Sequence, residues 1–379
     1  MRRFLESVLV LAGLSLAPAA VPAADVPTPP DIGAESYILI DHHSGRVLAA
    51  REPDARVEPA SITKLMTAYL AFKELEAGDV ALSDKTVVSE KAWRMEGSRM
   101  FIEVGTEVTV EALLKGMIVQ SGNDASVALA EHIAGSETVF VQMMNQEAEA
   151  LGLANTHYTN ATGLPHPEHY TTARDIARLT NALIGRFPQY YEWYSQKKYA
   201  YNGIPQYNRN KLLWRDPAVD GVKTGHTEAA GYCLVTSAQR DNMRLVSVVM
   251  GTDSEEGRAQ ASQALLNYGF RFFETRRLYA AGDAVTEARI WKGASEVLAL
   301  GLSRDLYVTF PRGRYTKLQA TMDLDTAIVA PVARHEPHGT LNVSLGDDTL
   351  AERPLVAIEA VPEGGLWQRL TDGVLLMFE

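Results

Sequence analysis

Two β-type regions lie far apart in this chain, with helical sequence between them. Residues 36–50, SYILIDHHSGRVLAA, read as two strands joined by His42-His43-Ser44-Gly45, a hairpin signal. From Ser61 to about Ala150, apolar residues recur every three or four positions, as in VEALLKGMIVQ and VFVQMMNQEAEALG. Thr172 and Asp175 open TARDIARLTNALIG in the manner of a capping box. DGVKTG, GYCLVTSAQ and RLVSVVMGT return to strand character, with the last turn at RDNM. SEEGRAQASQALLNYGFRFFE is then a helix with Ser254 as its cap. A strand pair from one end of this region can join a strand set from the other in one antiparallel sheet, covered by helices. That arrangement is α+β and not a βαβ repeat.

After about Gly282 the texture changes. LYVTF, LQATMDL, TLNVSL and PLVAIEAV are short alternating runs between Pro, Gly and Asp turns, a pattern that predicts a small all-β sandwich. The last stretch, GGLWQRLTDGVLLMFE, crowds Leu366, Trp367, Leu370, Val374, Leu375, Met377 and Phe378 together. It is too short to span a bilayer and suits an amphipathic helix lying at a membrane surface; the alternative is a helix packed on the β domain. At the other end, Arg2 and Arg3 precede an apolar run from Val8 to Leu16 and small residues to Ala24, the pattern of an export signal. The expected division is a signal peptide over 1–24, a first domain over 25–281, a β-sandwich over 282–364 and the amphipathic segment over 365–379.

Charge and cysteine content narrow the functional classes. With 36 basic and 47 acidic residues the net charge is −11, and no basic cluster is present, which argues against a nucleic-acid partner. The one cysteine, Cys233, permits no internal disulfide and no cysteine-based zinc site, and its apolar surroundings predict a buried thiol.

Three clusters carry chemistry. In PASITKLMTAYL, a helix beginning at Ser61 places Lys64 one turn later on the same face. A lysine pressed into a cleft loses hydration, and its neutral form can take a serine proton. In QSGNDAS, Ser121 and Asn123 sit in a Gly-containing turn between helices, where a hydroxyl can relay a proton and an amide can both donate and accept. In VDGVKTGHTEAAGY, Lys223 and Thr224 on a strand can bind a carboxylate, and Gly225 would let an extended substrate approach. Each cluster alone is also compatible with ordinary local structure: a helix cap with a solvated lysine, a turn, a strand end. Together, in this order, they form the S-x-x-K, S-D-N, K-T-G set of penicillin-binding proteins and class A β-lactamases, with Gly122 in place of the aspartate.

On these motifs the chain resembles the low-molecular-mass penicillin-binding proteins of the 5 and 6 type, the serine D-alanyl-D-alanine carboxypeptidases of the S11 family. The resemblance extends over EPASITKLMTAYLAF, QSGNDASVALAEHIAGS, VDGVKTGHTEAAGYCLV, NYGFRFFET, TFPRGR, the β domain and both ends. SGN in place of SDN is the form found in that family. The resemblance implies a penicillin-binding, β-lactamase-like transpeptidase domain: an antiparallel sheet with helices on both faces and a helical lobe. It implies Ser61 as the acylated nucleophile, Lys64 as general base, Ser121 and Asn123 in proton relay and substrate holding, and Lys223 as an electrostatic group. Thr224 and Gly225 would border the substrate. The backbone N–H groups of Ser61 and His226 would form the oxyanion hole. Arg258 and Arg209 match arginines that the family places near the site. Thr162 stands where a histidine is expected in close relatives. The implied substrate is the peptidoglycan pentapeptide, with β-lactam antibiotics as acylating ligands and roles in cell wall biogenesis and cell shape. The implied location is the periplasm, peripheral on the outer face of the cytoplasmic membrane. No cofactor or metal is expected, and no H-E-x-x-H motif is present.

Four other readings share parts of this pattern. A class A β-lactamase would need a deacylating glutamate, and no Glu-x-x-Leu-Asn loop is found. Transpeptidation or endopeptidase action would use the same residues. A non-catalytic wall-binding protein would have no use for the full set Ser61, Lys64, Asn123 and Lys223.

Overall fold

The computed structural model describes residues 26–377. The expected signal peptide, residue 25 and the final two residues lie outside that range.

The first domain is built on a five-stranded sheet. Its strands are β1 (Ser36–Asp41), β2 (Val47–Arg51), β3 (Val219–Thr227), β4 (Gly231–Arg240) and β5 (Met243–Thr252). They run in the order β2-β1-β5-β4-β3, every pair antiparallel. The N-terminal hairpin thus joins the later strands through β1 and β5, with Ile38 opposite Val248. Alternation feeds two cores. Ile38, Ile40, Val246 and Val248 enter one, and Leu39, Leu245 and Val249 the other.

Helices cover both faces. The first core is closed by α1 (Lys64–Ala77) and α5 (Ala173–Arg186), and extends into a helical lobe of α2 (Val110–Val119), α3 (Asn123–Ala134) and α4 (Glu137–Ala150). The second core is closed by α6 (Glu255–Phe272), through Leu265 and Leu266. Ser254 caps α6 by accepting from Gly257 N at 2.9 Å. Thr172 caps α5 by accepting from Asp175 N at 3.1 Å. The reciprocal half of the expected capping box is missing, because the Asp175 carboxylate instead accepts from Asn155 N and Thr156 Oγ1, both at 2.9 Å.

The second domain begins earlier than the expected 281/282 boundary. Strand β6 (Phe273–Tyr279) follows α6 directly and pairs with β7 (Leu306–Pro311). A six-stranded sheet runs in the order Leu318–Leu324, Pro337–Leu345, Asp348–Ala357, Val297–Gly301, Ala284–Trp291, Ile328–Val329. The two layers share a core containing Leu300, Val308, Phe310, Leu341 and Leu355. The turn of the β1–β2 hairpin reaches this domain. Asp41 accepts from Thr275 Oγ1 at 2.7 Å and from Ser44 Oγ at 2.8 Å, and His43 stacks on Tyr307. The chain's described part ends with α7 (Leu366–Leu375).

Candidate active site

The nucleophile turn is tighter than its sequence suggests. Ala60–Thr63 form a 3₁₀ turn, and the α-helix begins only at Lys64. In a 3₁₀ turn, side chains three residues apart eclipse one another, which stacks Lys64 on Ser61. Ala60 enters the turn at φ 46°, a strained value for a residue with a side chain. Lys64 Nζ lies 2.9 Å from Ser61 Oγ, 2.7 Å from Asn123 Oδ1 and 2.7 Å from the Thr162 carbonyl oxygen. The side chain is buried along its whole length.

The second cluster arrives from the turn between α2 and α3. Ser121 also holds a positive φ, 68°. Both ends of the Asn123 amide are engaged within the protein, since Nδ2 donates to Glu96 O at 2.6 Å. Its neighbour Asp124 was not singled out from sequence. That buried carboxylate accepts from Met100 N, Phe101 N and Ala125 N, each at 2.9 Å, and so ties the 100–102 loop to the start of α3. An acidic residue in the first turn of a helix was the available signal. A Cβ at Gly122 would stand 2.8 Å from Asp124 Oδ1, so an aspartate side chain does not fit in this packing.

The third cluster is the edge strand β3. Lys223 Nζ donates to Ser121 Oγ and to Thr224 O, both at 2.9 Å. Gly225 lines the cleft, and its lack of a side chain also serves packing. Its missing Cβ points at the nucleophile turn and would lie 3.1 Å from Pro59 O and from Ile62 Cγ1. Arg258, reaching up from α6, is 4% exposed and donates to Gly225 O at 3.0 Å. Arg209 stays exposed at the rim, and the exposed His226 ring packs on Tyr232.

A fourth segment, 159–164, closes the cleft, and its organiser, Asn160, is not evident from sequence. Asn160 Oδ1 accepts from Thr162 N, Thr162 Oγ1, Gly163 N and Leu164 N at 2.7–3.2 Å. Thr162 contributes its carbonyl to the site, while its hydroxyl turns inward to Asn160. A Cβ on Gly163, at φ 85°, would sit 1.7 Å from Ala60 O, so the loop presses on the nucleophile turn without slack.

Together these elements line one cleft of about 390 Å³, bordered by Ser61, Ser121, Asn123, Thr224, Arg209 and Arg258. Burial, reinforced by the Arg209 charge and opposed by Asp124, pushes the Lys64 ammonium down to about 7. Lys223 is held well below its ordinary value by burial and then by Lys64, Arg209 and Arg258. An amine whose neutral form is accessible near neutrality, 2.9 Å from a serine hydroxyl, has the geometry a general base needs. The surrounding cationic groups favour an anionic substrate end.

A serine–lysine pair at the junction of a five-stranded antiparallel sheet and a helical lobe defines an active-site-serine acyl-transfer enzyme of the penicillin-binding fold. The comparisons with known proteins carry the identification further. Residues 23–254 match the family model for D-alanyl-D-alanine carboxypeptidase, and residues 273–363 match that for the penicillin-binding protein 5 C-terminal domain. The chain belongs to the S11 family of D-alanyl-D-alanine carboxypeptidases, which are serine peptidases. D-alanyl-D-alanine carboxypeptidase DacA of Escherichia coli (strain K12) is 43% identical, over 93% of this chain and 90% of that protein. The crystal structure of penicillin binding protein 5 from Haemophilus influenzae superposes with a TM-score of 0.85 at 41% identity, covering 89% of this chain and all of that one. Penicillin-binding protein D2 from Listeria monocytogenes, solved in an ampicillin-bound form, gives a TM-score of 0.60 at 26% identity, over 64% of this chain and all of that one.

Proposed function

We propose that this carboxypeptidase removes the terminal D-alanine of peptidoglycan pentapeptide stems through an acyl-enzyme on Ser61. Neutral Lys64 takes the Ser61 proton as Oγ attacks the carbonyl carbon of the penultimate D-alanine. The backbone N–H groups of Ser61 and His226 receive the developing oxyanion. The C–N bond then breaks. The departing amine takes its proton by way of Lys64 and Ser121, and free D-alanine leaves. A water molecule, its proton taken by Lys64, attacks the ester, and the Ser61 hydroxyl is restored. Thr224, Arg258 and Arg209 receive the terminal carboxylate, and Lys223 holds Ser121 Oγ in place by donating to it. β-Lactams acylate the same oxygen by opening of the ring amide, in keeping with the ampicillin-bound Listeria relative.

The observation that carries this reading is the threefold hold on Lys64 Nζ by Ser61 Oγ, Asn123 Oδ1 and Thr162 O. Its test is D-alanine release from a pentapeptide ending in D-Ala-D-Ala, comparing wild type with Ser61→Ala. Release by wild type and none by the variant is the expected result. No release by either protein overturns the reading.

The enzyme works in the periplasm on the outer face of the cytoplasmic membrane, held there by α7, and contributes to cell wall biogenesis and cell shape. Leu366, Trp367, Leu370 and Val374 are all more than half exposed and share one face of that helix, and Met377, just beyond its end, is exposed as well. On its polar side, Asp372 Oδ2 accepts from Lys292 N at 2.6 Å. The helix therefore rests on the β domain through polar contacts and leaves its apolar face free for a membrane interface. Among the described residues, no helix is long and apolar enough to cross a membrane.

A further inference from the structure

Thr63 lies between Ser61 and Lys64, and its side chain turns away from the cleft into the fully buried interior. There its Oγ1 meets Nε2 of His169 at 2.9 Å. His169 is 2% exposed. Its other nitrogen, Nδ1, faces Thr159 N at 3.3 Å, Asn160 Nδ2 at 3.3 Å and Thr159 Oγ1 at 3.0 Å. Two of those three partners can only donate, so Nδ1 is the acceptor and the proton sits on Nε2, donating to Thr63. Burial, with His157 and His166 nearby, pushes the imidazole down to about 4, so the ring stays neutral at any ordinary working pH. The two bonds of this ring therefore reach two halves of the active site. One half is the turn carrying Ser61 and Lys64. The other is the 159–163 segment, whose Thr162 carbonyl is the third partner of Lys64 Nζ. A buried histidine that merely satisfied itself in the core would have no reason to join those two segments. Other ties fix the loop at Ala161, whose carbonyl accepts from Thr67 Oγ1 on α1 and whose N–H donates to Glu137 Oε1, but neither reaches the 60–63 turn itself.

We propose that His169 is a positioning residue of the reaction: acting through Thr63 and the 159–163 segment, it holds the Thr162 carbonyl against Lys64 and so sets how readily that lysine gives up its proton. This inference rests on the reading of Lys64 as the general base. A carbonyl oxygen holds an ammonium more strongly than a neutral amine, so its presence favours the charged lysine. When the tie is cut, the carbonyl drifts, and Lys64 becomes easier to deprotonate but worse placed. The other charges facing Lys64 are Arg209 before β3, Asp124 on α3 and Lys223 on β3, and cutting the tie leaves all three in place.

The test uses the full chain with Thr63→Val, His169→Phe, the double variant and the conservative His169→Gln. Each is followed by kcat and KM for a D-Ala-D-Ala peptide across pH 5–10, and by thermal unfolding. The expected result for Thr63→Val is an acid limb of kcat/KM moved to lower pH by about half a unit, with kcat about tenfold down and KM little changed. His169→Phe reproduces this, the double variant adds little to either single one, and His169→Gln, which keeps an amide donor and acceptor, recovers part of the loss. Should His169→Phe not fold, Thr63→Val, nearly the same size as wild type, decides alone. An acid limb that stays in place or moves to higher pH in Thr63→Val overturns the proposal, whatever happens to stability. A wild-type profile with no acid limb near neutrality overturns the reading of Lys64 itself, and with it this inference.

Discussion

Lys223 Nζ donates to Ser121 Oγ at 2.9 Å, a bond that crosses 102 residues of sequence to join the edge strand β3 to the turn before α3. The serine is held in the left-handed region at φ 68°, so its hydroxyl is fixed from both ends, by its backbone and by the lysine. Lys223→Ala removes that donor from the site. It should lower kcat/KM for the peptide and the second-order rate of β-lactam acylation by roughly 10²–10³. Unfolding temperature should change far less. A variant that acylates at the wild-type rate would show that the bond is structural.

Lys64 gives the pH dependence its sign. Its ordinary value of 10.5 is lowered to about 7, so the base form predominates above neutrality and is lost as pH falls. Below about pH 7, kcat/KM should drop roughly tenfold per unit. The same shift bears on stability. Between about pH 7 and 10.5 the unfolded chain protonates this lysine and the folded one does not, so its contribution to stability rises with pH across that window. Rate profiles and thermal melts over pH 5–11 check both slopes.

Asp124→Asn should move two observables at once. The carboxylate favours the charged form of Lys64, so neutralising it shifts the acid limb to lower pH. The amide also turns a donor toward backbone N–H groups that the carboxylate accepts from, costing about 1–3 kcal/mol of stability. A melt and a pH–rate profile on the same preparation separate the two effects.

Gly163→Ala tests the contact between the loop and the nucleophile turn. The new methyl would fall 1.7 Å from Ala60 O, at a φ that suits glycine. One of the two segments has to move, at a cost of about 2–4 kcal/mol, and D-alanine release should fall with it. Wild-type stability and activity together would mean that the segments are not in contact in solution.

Truncation after Gly364 removes α7 and its exposed Leu366, Trp367, Leu370 and Val374. The shortened protein should no longer co-sediment with phospholipid vesicles, while kcat and KM on a soluble peptide stay unchanged. Co-sedimentation equal to that of the full chain would rule out α7 as the anchor.

The α+β layout was legible because alternation and helical spacing are local and strong. They placed the β1–β2 hairpin, the caps Thr172 and Ser254, the strand of Lys223 and the β-rich second domain, though not the start of that domain at Phe273, where a strand follows α6 without a linker. The cluster residues were legible through their order and the resemblance they support. The packing role of Gly225 was not legible, because a glycine in a strand does not say which side is crowded; the crowding comes from Pro59 and Ile62, more than 160 residues away.

By itself, then, the sequence determined which elements form and which side chains could do acyl-transfer chemistry, because periodicity, turn residues and side-chain type are carried by neighbouring letters. Tertiary structure alone decided what surrounds those side chains. The nucleophile turn is 3₁₀ and not α, and it is packed between β3 and the 159–164 loop. The third partner of Lys64 is a main-chain carbonyl 98 residues away. Every residue has such a carbonyl, so no letter in the sequence marks the one that folding brings to the lysine.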